Sequence, residues 1–558
     1  MTQTVSESEF ERVSSIEVEV FRHLFTALAE EMGAALRRAA FSPNIKERRD
    51  YSCALFSPEG VPIALGDHMP VHLGAMPMSV SAALDALGPL GRGDVGVLND
   101  PFEGGTHLPD ITVVATVLDG RGHRLGYVAA RAHHSDVGGM SPGSMPIATE
   151  IFQEGLRIPP VLLVRDGSRV QDVWRLVLAN VRTPEEREGD IEAQLGALHA
   201  GAHRLLEISS RVGPARLLAA QHRLLEYGDL LLREGIRRIP DGVWDADDVL
   251  EGDGVTDDAI SIRARLTIDG DRIHIDFSGT DSQAEGGVNA VAAVTISACR
   301  YVVRCVIEDL LETSLPAGGG AMSALEVELP VGSVVSAERP AAVAAGNVET
   351  SQRITDVLLQ AFAGPLPGRM PAMSQGTMNN IAMGGKNERT GQPFTYYETI
   401  GGGMGGSPDR AGLSGVHTHM SNTLNTPIEA LEHAYPIRVH RYSIVSGSGG
   451  AGKHPGGDGL RRDLELLSPA NITILTERRT TRPSGLAGGG PGSPGMNQIE
   501  HSGKIHPLPA KATFSAPAGA VVSIVSPGGG GWGPVEETTS SLREVPTSYD
   551  ARSTISGM

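Results

Sequence analysis

The spacing of apolar residues along the chain predicts a mixed α+β protein. Residues 15–40 and 184–238 carry apolar side chains at three- and four-residue intervals, which predicts amphipathic helices. Residues 259–280 alternate between apolar and polar positions around a turn at 269–271, which predicts a β-hairpin. From residue 370 onward, short apolar runs alternate with glycine-rich segments. We therefore predict a multi-layer α+β fold in which glycine-rich loops join short strands.

These changes of pattern suggest five successive regions. We predict an N-terminal α+β region with a metal site (1–180), a helical region (181–240), a hairpin-and-helix region (241–370), a glycine-rich region with β-strands (371–535) and a flexible tail (536–558). The tail is predicted from its Ser- and Thr-rich composition. No unit of 20 to 50 residues repeats, which argues against a solenoid or a propeller.

Charge and composition exclude several functional classes. The net charge is −19 and no stripe of Lys and Arg occurs, so nucleic acid and anionic membranes are poor partners. No stretch approaches 18 apolar residues, and the polar, acidic start has no signal-peptide pattern. The chain has only three cysteines, which argues for a reducing compartment. We therefore predict a cytoplasmic protein.

Glycine is the outlier of the composition, with 70 of 558 residues, nearly twice the ordinary share of about 7%. The glycines cluster around residues 401–403, 449–450, 488–490 and 528–531. Such clusters between strand-like runs predict tight turns and close approach of the backbone. The segment 447–454 nearly matches a phosphate-binding P-loop, but His454 replaces the hydroxyl residue and Pro455 prevents the helix that must follow. We therefore expect no nucleotide P-loop.

Two polar clusters lie on either side of a pair of strand-like runs and form the candidate metal site. His107 and Asp110 precede the run, and His133 and His134 follow the next one. If the two runs pair as antiparallel strands, His107, Asp110 and one of the paired histidines converge, because neighbours on a strand face opposite ways. Imidazole and carboxylate ligands suit Zn, Mn or Fe. Asp50 is a further carboxylate at an element boundary; by itself, it is more typical of a cap or ion-pair residue.

Later segments are rich in small and polar residues suited to a polar ligand. They include GNVETSQR (346–353), which contains Asn347, and the segments that supply four predicted substrate-binding residues: Glu398, His417, His419 and Asn422. Each segment by itself could equally be a surface loop. No GxSxG or HExxH motif occurs, so serine-hydrolase and zincin chemistry have no support.

Several of these segments together resemble the hydantoinase B/oxoprolinase family, over residues 17–533. The resemblance is carried by GDHMPVHLGAMP (66–77), NDPFEGGTHLPD (99–110), RAHHSDVGGMSPGSMP (131–146), EIFQEGLRIPP (150–160), GNVETSQR, SQGTMNN (374–380), HTHMSNTLNTPIEALE (417–432), GSGGAGKHPGGDGL (447–460) and PGGGGWG (527–533). One departure is Pro455, where the family commonly has Arg.

The resemblance implies an enzyme, the B subunit of an ATP-dependent cyclic amide hydrolase. A partner ATPase subunit of the hydantoinase A type would phosphorylate a lactam or hydantoin, and the B subunit would hydrolyse it with a metal-activated water. The family's metal ligands map onto Asp50, His107, Asp110 and His133, while His134 and Asp136 would orient groups or relay protons. ATP would be used by the partner, in an A–B hetero-oligomer.

Two alternatives stay open at this point. The chain could be a subunit of an ATP-dependent ketone carboxylase, although the large subunits of such enzymes tend to be longer. It could also be a scaffold without catalysis, which would have no reason to keep His107, Asp110 and His133 together.

Overall fold

The computed structural model describes residues 13–66 and 69–535, so the predicted flexible tail (536–558) lies outside the described residues. The described residues form nine α-helices and twenty β-strands. The helices are α1 (Ser15–Ala39), α2 (Pro43–Lys46), α3 (His72–Leu87), α4 (Gln171–Ala179), α5 (Pro184–Val212), α6 (Pro214–Ile236), α7 (Ala292–Leu311), α8 (Ser351–Ala363) and α9 (Ile428–Ala434). The strands are β1 (Tyr51–Phe56), β2 (Pro62–Leu65), β3 (Val95–Leu98), β4 (Asp110–Leu118), β5 (Arg124–His133), β6 (Val161–Arg165), β7 (Ser168–Arg169), β8 (Gly242–Leu250), β9 (Ile260–Asp269), β10 (Arg272–Asp276), β11 (Leu325–Glu328), β12 (Asn380–Lys386), β13 (Pro393–Glu398), β14 (Ile437–Ile444), β15 (Leu460–Leu466), β16 (Ala470–Leu475), β17 (Met496–His501), β18 (Lys504–Leu508), β19 (Lys511–Ala516) and β20 (Val521–Val525).

Helix α1 shows how the sequence pattern becomes structure. Its first turn is closed by a capping box, in which Ser14 and Glu17 each accept a hydrogen bond from the other's backbone N–H. Its buried stripe contains Phe25, Leu28 and Met32, which are all fully inaccessible. The predicted helix over 15–40 is confirmed, and the long helical region over 184–238 is confirmed as α5 followed by α6.

The first sheet is antiparallel throughout and has the strand order β2-β1-β5-β4-β3-β6-β7. All six residues of β1 are buried, because the sheet is covered on both faces. Cys53 and Leu55 belong to the apolar core that includes α1 and α5, whereas Ala54 and Phe56 pack in a separate cluster with α3. The alternation of strand side chains thus produces a three-layer arrangement.

Three further sheets build the second half of the chain. One has the order β11-β10-β9-β8, and its β9–β10 pair is the hairpin predicted around 269–271. The others have the orders β13-β12-β16-β19 and β14-β15-β20-β17-β18, and they share a second apolar core. The predicted α+β fold class is confirmed. The first core extends from Val13 to Leu475, and the division into five regions stays a prediction.

The clustered glycines lie in segments that pack directly backbone to backbone. A Cβ atom on Gly403 would lie 2.1 Å from the carbonyl oxygen of Gly457, and one on Gly450 would lie 2.2 Å from that of Gly490. The Gly450 N–H donates to the carbonyl of Gly529 over 2.8 Å. Only glycine permits such approach. We call these segments (401–406, 448–457, 485–492 and 526–533) the glycine bundle.

The near P-loop segment runs into this bundle, and the next regular element after it is strand β15 rather than a helix. Across residues 13–66 and 69–535, no helix combines the length and the apolar character needed to span a bilayer.

Candidate metal centre

Strands β4 and β5 bring the predicted metal ligands together. Asp110, the first residue of β4, is the direct partner of His133, the last residue of β5. Directly opposed residues of an antiparallel pair project from the same face. His107 lies one turn before Asp110, whose N–H donates to the His107 carbonyl over 3.1 Å. One ligand atom from each of the three side chains lies within 4.8 Å of the others, and all three residues are buried.

The carboxylate of Asp110 is anchored through its Oδ2 atom. Its Oδ2 accepts a hydrogen bond from His72 Nε2 over 3.3 Å and another from Thr106 Oγ1, and it lies 3.5 Å from His107 Nε2. Its Oδ1 is buried and has no partner among the described residues. Burial would raise the pKa of Asp110, but the imidazoles of His107 and His72 hold that pKa well below its usual range. The residue is therefore an ionised carboxylate with a free oxygen.

His133 is fixed from two sides. Its ring stacks on Tyr397, with centroids 4.2 Å apart, and its Nδ1 lies 3.0 Å from Asn44 Nδ2. Its Nε2 is buried and meets no partner within residues 13–66 and 69–535. Burial, together with the neighbouring His107, lowers the pKa of His133 well below its ordinary value. His133 is therefore a neutral imidazole, the form that binds metals.

The two ring nitrogens of His107 contact different groups. Nδ1 lies 3.4 Å from the carbonyl oxygen of Ala344, which can only accept. Nε2 lies 3.2 Å from Asn347 Nδ2 and 3.5 Å from Asp110 Oδ2. The Ala344 peptide is itself held by the buried carboxyl of Glu154, whose Oε1 accepts from the N–H groups of Val343 and Ala344 over 2.7 and 2.9 Å.

Asp50 adjoins the centre but is not part of the three-residue group. Its backbone carbonyl accepts from the N–H of His133 over 3.0 Å, and its side chain is buried. Burial raises the pKa of Asp50 to about 7, against the lowering effect of Arg48, and the negative Asp110 adds to the rise. The pKa of Asp50 therefore depends in part on the charge of Asp110. The role of Asp50 as a metal ligand stays a prediction.

The predicted catalytic residues His134 and Asp136 lie outside the three-residue group. His134 follows β5 and projects to the opposite side, where its Nε2 lies 2.9 Å from Gln194 Oε1 on α5. Burial lowers the pKa of His134 to about 4. Asp136 forms an ion pair with Arg182 over 2.7 Å and also accepts from the Arg182 backbone N–H. The catalytic role of His134 and Asp136 stays a prediction.

Of the four predicted substrate-binding residues, Glu398 already has partners within the protein for both of its carboxylate oxygens. It forms a fully buried ion pair with Arg462 over 3.1 Å, and it accepts hydrogen bonds from the Thr426 backbone N–H and from the Tyr396 hydroxyl. A buried carboxylate with these partners organises the loop that precedes α9 and has little capacity left for a ligand.

His417 and His419 retain free nitrogens, whereas Asn422 is exposed. The Nδ1 atom of His417 lies 3.0 Å from Ser421 Oγ, and that of His419 lies 3.4 Å from Tyr301 OH. In both rings Nε2 is buried and has no partner in the part of the chain that the structure describes. Burial lowers both pKa values to about 4.

Arg48 joins this loop to the centre. Its guanidinium donates to the Tyr397 carbonyl and to Thr399 Oγ1, over 3.0 and 2.8 Å, and its own carbonyl accepts from the Leu424 N–H. Tyr397 is the residue on which His133 stacks. Arg48 therefore connects Thr399 and Leu424 to Tyr397, the residue on which the candidate ligand His133 stacks.

The donor set fits a divalent metal ion. It offers two imidazoles and an ionised carboxylate, and the unpartnered atoms Asp110 Oδ1 and His133 Nε2 are both buried. Buried polar atoms ordinarily have a partner, so these two atoms on adjoining side chains are available to a ligand. Nitrogen and oxygen ligands of this kind suit Zn, Mn and Fe.

Comparison with known proteins identifies the family. A profile of the family described as hydantoinase B/oxoprolinase matches residues 14–535, which include every residue of the centre. The chain belongs to the hydantoinase B/oxoprolinase family. The resemblance drawn from the sequence motifs is thereby confirmed.

Relatives within the hydantoinase B/oxoprolinase family differ in length. The chain is 38% identical to 5-oxoprolinase 1 of Arabidopsis thaliana over 93% of its own length, but it spans only 42% of that protein. It is 27% identical to a protein of Pseudomonas sp. named as the putative B subunit of a D-/L-hydantoinase, with 94% of this chain and 91% of the relative covered. The chain thus spans less than half of the 5-oxoprolinase.

Solved structures agree with the assignment to the hydantoinase B/oxoprolinase family. The ATP-dependent caprolactamase of Pseudomonas jessenii is 27% identical, with a TM-score of 0.86 and coverage of 94% of this chain and 92% of that one. A nucleotide-free acetone carboxylase shares the fold at 17% identity, with a TM-score of 0.85 and coverage of 95% and 77%.

Two groups of the centre were not singled out by sequence reasoning. His72 lies within one of the family-like segments (66–77), and that resemblance was the only signal for it. Glu154 lies within another (150–160), but its target, the Ala344 peptide, is 190 residues away.

Proposed function

We propose that this chain is the hydrolytic subunit of an ATP-dependent cyclic amide hydrolase. The observation that carries the proposal is the buried group of His107, Asp110 and His133, with free donor atoms on Asp110 and His133. The names of the relatives support the substrate class, since they include a 5-oxoprolinase, a caprolactamase and a hydantoinase subunit.

The residues that would hold the metal are His107, Asp110 and His133, with Asp50 as a fourth ligand. A divalent ion there would supply Lewis-acid polarisation of a carbonyl group and a water of lowered pKa. The chain's own contribution is positioning. In a metal-bound His107 the Ala344 carbonyl would hold the ring proton on Nδ1, so that Nε2 presents its lone pair. His72 and Thr106 hold one oxygen of Asp110 and leave the other free.

Burial of the centre suits hydrolysis of an activated intermediate. The side chains of His107, Asp110 and His133 are at most 2% exposed. A site closed to bulk water strengthens every electrostatic interaction within it and protects a phosphorylated amide from wasteful breakdown. The free Nε2 atoms of His417 and His419 would meet the polar groups of that intermediate.

A partner supplies the activation in this proposal. An unstrained amide is a poor electrophile and needs activation. The near P-loop segment of this chain packs within the glycine bundle, so we do not assign it the ATP site. A relative of almost the same length is named as the B subunit of a hydantoinase, which supports a separate ATPase subunit. We therefore propose an A–B hetero-oligomer in which the hydantoinase A-type partner uses ATP.

The proposal is tested with the assembled pair of subunits. We expect His107→Ala to abolish ATP-dependent ring opening of 5-oxoproline, hydantoins or caprolactam while assembly with the ATPase subunit is retained. His203→Ala is the matched control, because His203 is an exposed histidine on α5 whose side chain is 69% accessible. Full turnover by His107→Ala, or carboxylation of a ketone in place of hydrolysis, would contradict the proposal.

A further inference from the structure

Arg48 is a fully buried cation whose hydrogen-bond partners are all neutral. Within residues 13–66 and 69–535, its guanidinium donates to Asn44 Oδ1, the Tyr397 carbonyl and Thr399 Oγ1. It lowers the pKa of Asp50 without forming an ion pair with that residue. Four other buried arginines each pair with a carboxylate: Arg187, Arg353, Arg462 and Arg478. Arg48 thus carries a buried charge that lacks a direct counter-ion.

The guanidinium of Arg48 also has a free N–H group. Its Nε atom is buried and has no partner in the described part of the chain. The Nε–H group lies on the edge that it shares with Nη2, and guanidinium groups use such edges to hold two oxygens of one oxyanion. Burial of an unpaired charge costs free energy, so this edge favours an anion as its ligand.

Three buried hydroxyl groups connect this edge of Arg48 to His417. Arg48 Nη2 lies 2.8 Å from Thr399 Oγ1, which lies 3.0 Å from Thr423 Oγ1. Ser421 Oγ lies 3.5 Å from Thr423 Oγ1 and 3.0 Å from His417 Nδ1. Because Arg48 can only donate, it favours a run in which each hydroxyl donates to the next and His417 Nδ1 accepts. The buried Nε2 of His417, which meets no partner among the described residues, is then a second free donor.

Arg48 lies two contacts away from the candidate ligand His133. It donates to Asn44, whose Nδ2 lies 3.0 Å from His133 Nδ1. Its guanidinium also lies over the ring of Tyr397, 4.9 Å from the centroid, and that ring stacks on His133. In the proposed function, the substrate reaches the centre with a phosphate group on the oxygen next to the carbon that is attacked. Such a substrate needs an anion site beside the metal.

We propose that Arg48 and His417 hold the phosphate group of the activated intermediate, with Arg48 Nε and His417 Nε2 as the donors. This inference rests on the proposed function and names the group by which the site selects an activated ring. An amide that has not been phosphorylated is uncharged and leaves the buried guanidinium without a counter-ion. The same two donors would bind inorganic phosphate, which hydrolysis of the intermediate releases.

Arg131 is the other buried arginine near the centre, and it suits an anion less well. Burial lowers the pKa of Arg131 to about 10, and the negative charge of Asp110 acts in the opposite direction. Its Nη1 is free, but its other nitrogens donate to Thr112 Oγ1 and Ser79 Oγ, on the side of α3. Arg131 therefore has a carboxylate nearby as counter-charge, and the run of hydroxyls that ends on a free imidazole begins at Arg48.

The test is the binding of inorganic phosphate to the full chain, without the partner subunit or ATP. Isothermal titration calorimetry gives the dissociation constants. We expect Arg48→Met to weaken phosphate binding by about tenfold or more, because a charge-assisted hydrogen bond is lost. Arg48→Lys should fall between the two, since Lys keeps the charge but not the planar edge. Arg49→Met is the matched control, because Arg49 is the next residue and is exposed.

Metal content is measured on the same samples, so that failure of the proposed function and failure of the phosphate site are distinguishable. His107→Ala, which should lose the metal, should still bind phosphate. His417→Phe should keep the metal and weaken phosphate binding by about threefold or more, because the ring of His417 is held by Ser421, outside the centre. This variant decides the question if Arg48→Met fails to fold or loses its metal.

Three results would overturn the inference. The first is a wild-type protein that binds no phosphate. The second is an unchanged affinity in both Arg48→Met and His417→Phe, or a loss of binding in Arg131→Met alone. The third is loss of phosphate binding from His107→Ala, which would show that the phosphate is held by the metal ion and not by Arg48.

Discussion

Asp110 and His133 face each other as direct partners at one end of the β4–β5 strand pair. Two of the three candidate ligands therefore lie on regular, hydrogen-bonded backbone, and only His107 lies on the adjoining turn. Sites built on regular elements hold their geometry better than sites on loops. The backbone that carries Asp110 and His133 is thus held in place by the β4–β5 strand pair itself.

The first prediction concerns His72, which holds Asp110 from the side opposite the free oxygen. We expect His72→Leu to weaken metal affinity by about 10- to 100-fold, because supporting hydrogen bonds orient a ligand without contacting the ion. Competition with a chelator measures the affinity. The stoichiometry at saturation should stay at the wild-type value, and His23→Leu, at an exposed position on α1, should change neither. An unchanged affinity in His72→Leu would mean that Asp110 needs no such support.

The second prediction concerns Glu154 as the hydrogen-bond acceptor for the backbone N–H groups of Val343 and Ala344. Glu154→Gln keeps an oxygen for the N–H groups of Val343 and Ala344, whereas Glu154→Leu leaves both buried donors unpaired. We expect Glu154→Leu to be less stable than Glu154→Gln by about 2 kcal/mol or more. Urea denaturation measures the difference. Equal stabilities would show that the two backbone groups find other acceptors.

The third prediction is a dependence of stability on pH. Burial raises the pKa of Glu154 from its ordinary value of 4.5 to about 8, so the folded protein keeps a proton that the unfolded chain releases. The raised pKa therefore costs stability as pH rises from about 5 to about 8, by up to about 1.4 kcal/mol per pH unit. Glu154→Gln lacks this loss, so its stability relative to the wild type should increase across that window. A difference independent of pH between about 5.5 and about 7.5 would contradict the raised pKa.

The fourth prediction tests the glycine bundle. We expect Gly450→Ala to destabilise the protein by about 3 kcal/mol or to prevent folding, because the new methyl group would lie 2.2 Å from a backbone oxygen that cannot move aside. Gly490→Ala is the matched control in the same bundle, since its nearest neighbour would be at an ordinary 3.4 Å. Thermal unfolding measures both. Similar melting temperatures for the two variants would contradict the described packing.

Local periodicity in the sequence was sufficient to predict the elements and part of the centre. The strand pair that joins Asp110 to His133 follows from two apolar runs and a short connection, and the opposite orientation of His134 follows from strand alternation. These relationships span fewer than 30 residues, so they are visible in the spacing of residue types.

The rest of the centre depends on contacts between distant segments. His107 meets Asn347 across 240 positions, and Glu154 reaches Ala344 across 190. No periodic pattern encodes such pairings, because they join residues 344–347, which precede α8, to segments that follow β3 and β5. The glycine clusters likewise predicted close approach, but the sequence could not show that they approach one another.

The most direct test of the account is the metal content of the purified protein, compared among the wild type, His107→Ala and the control His203→Ala. The account predicts about one equivalent of a divalent transition metal in the wild type and in His203→Ala, and its loss from His107→Ala. Retention of the metal by His107→Ala, or a wild-type protein that binds no divalent ion at saturating concentration, would contradict the central claim that His107, Asp110 and His133 form a metal centre.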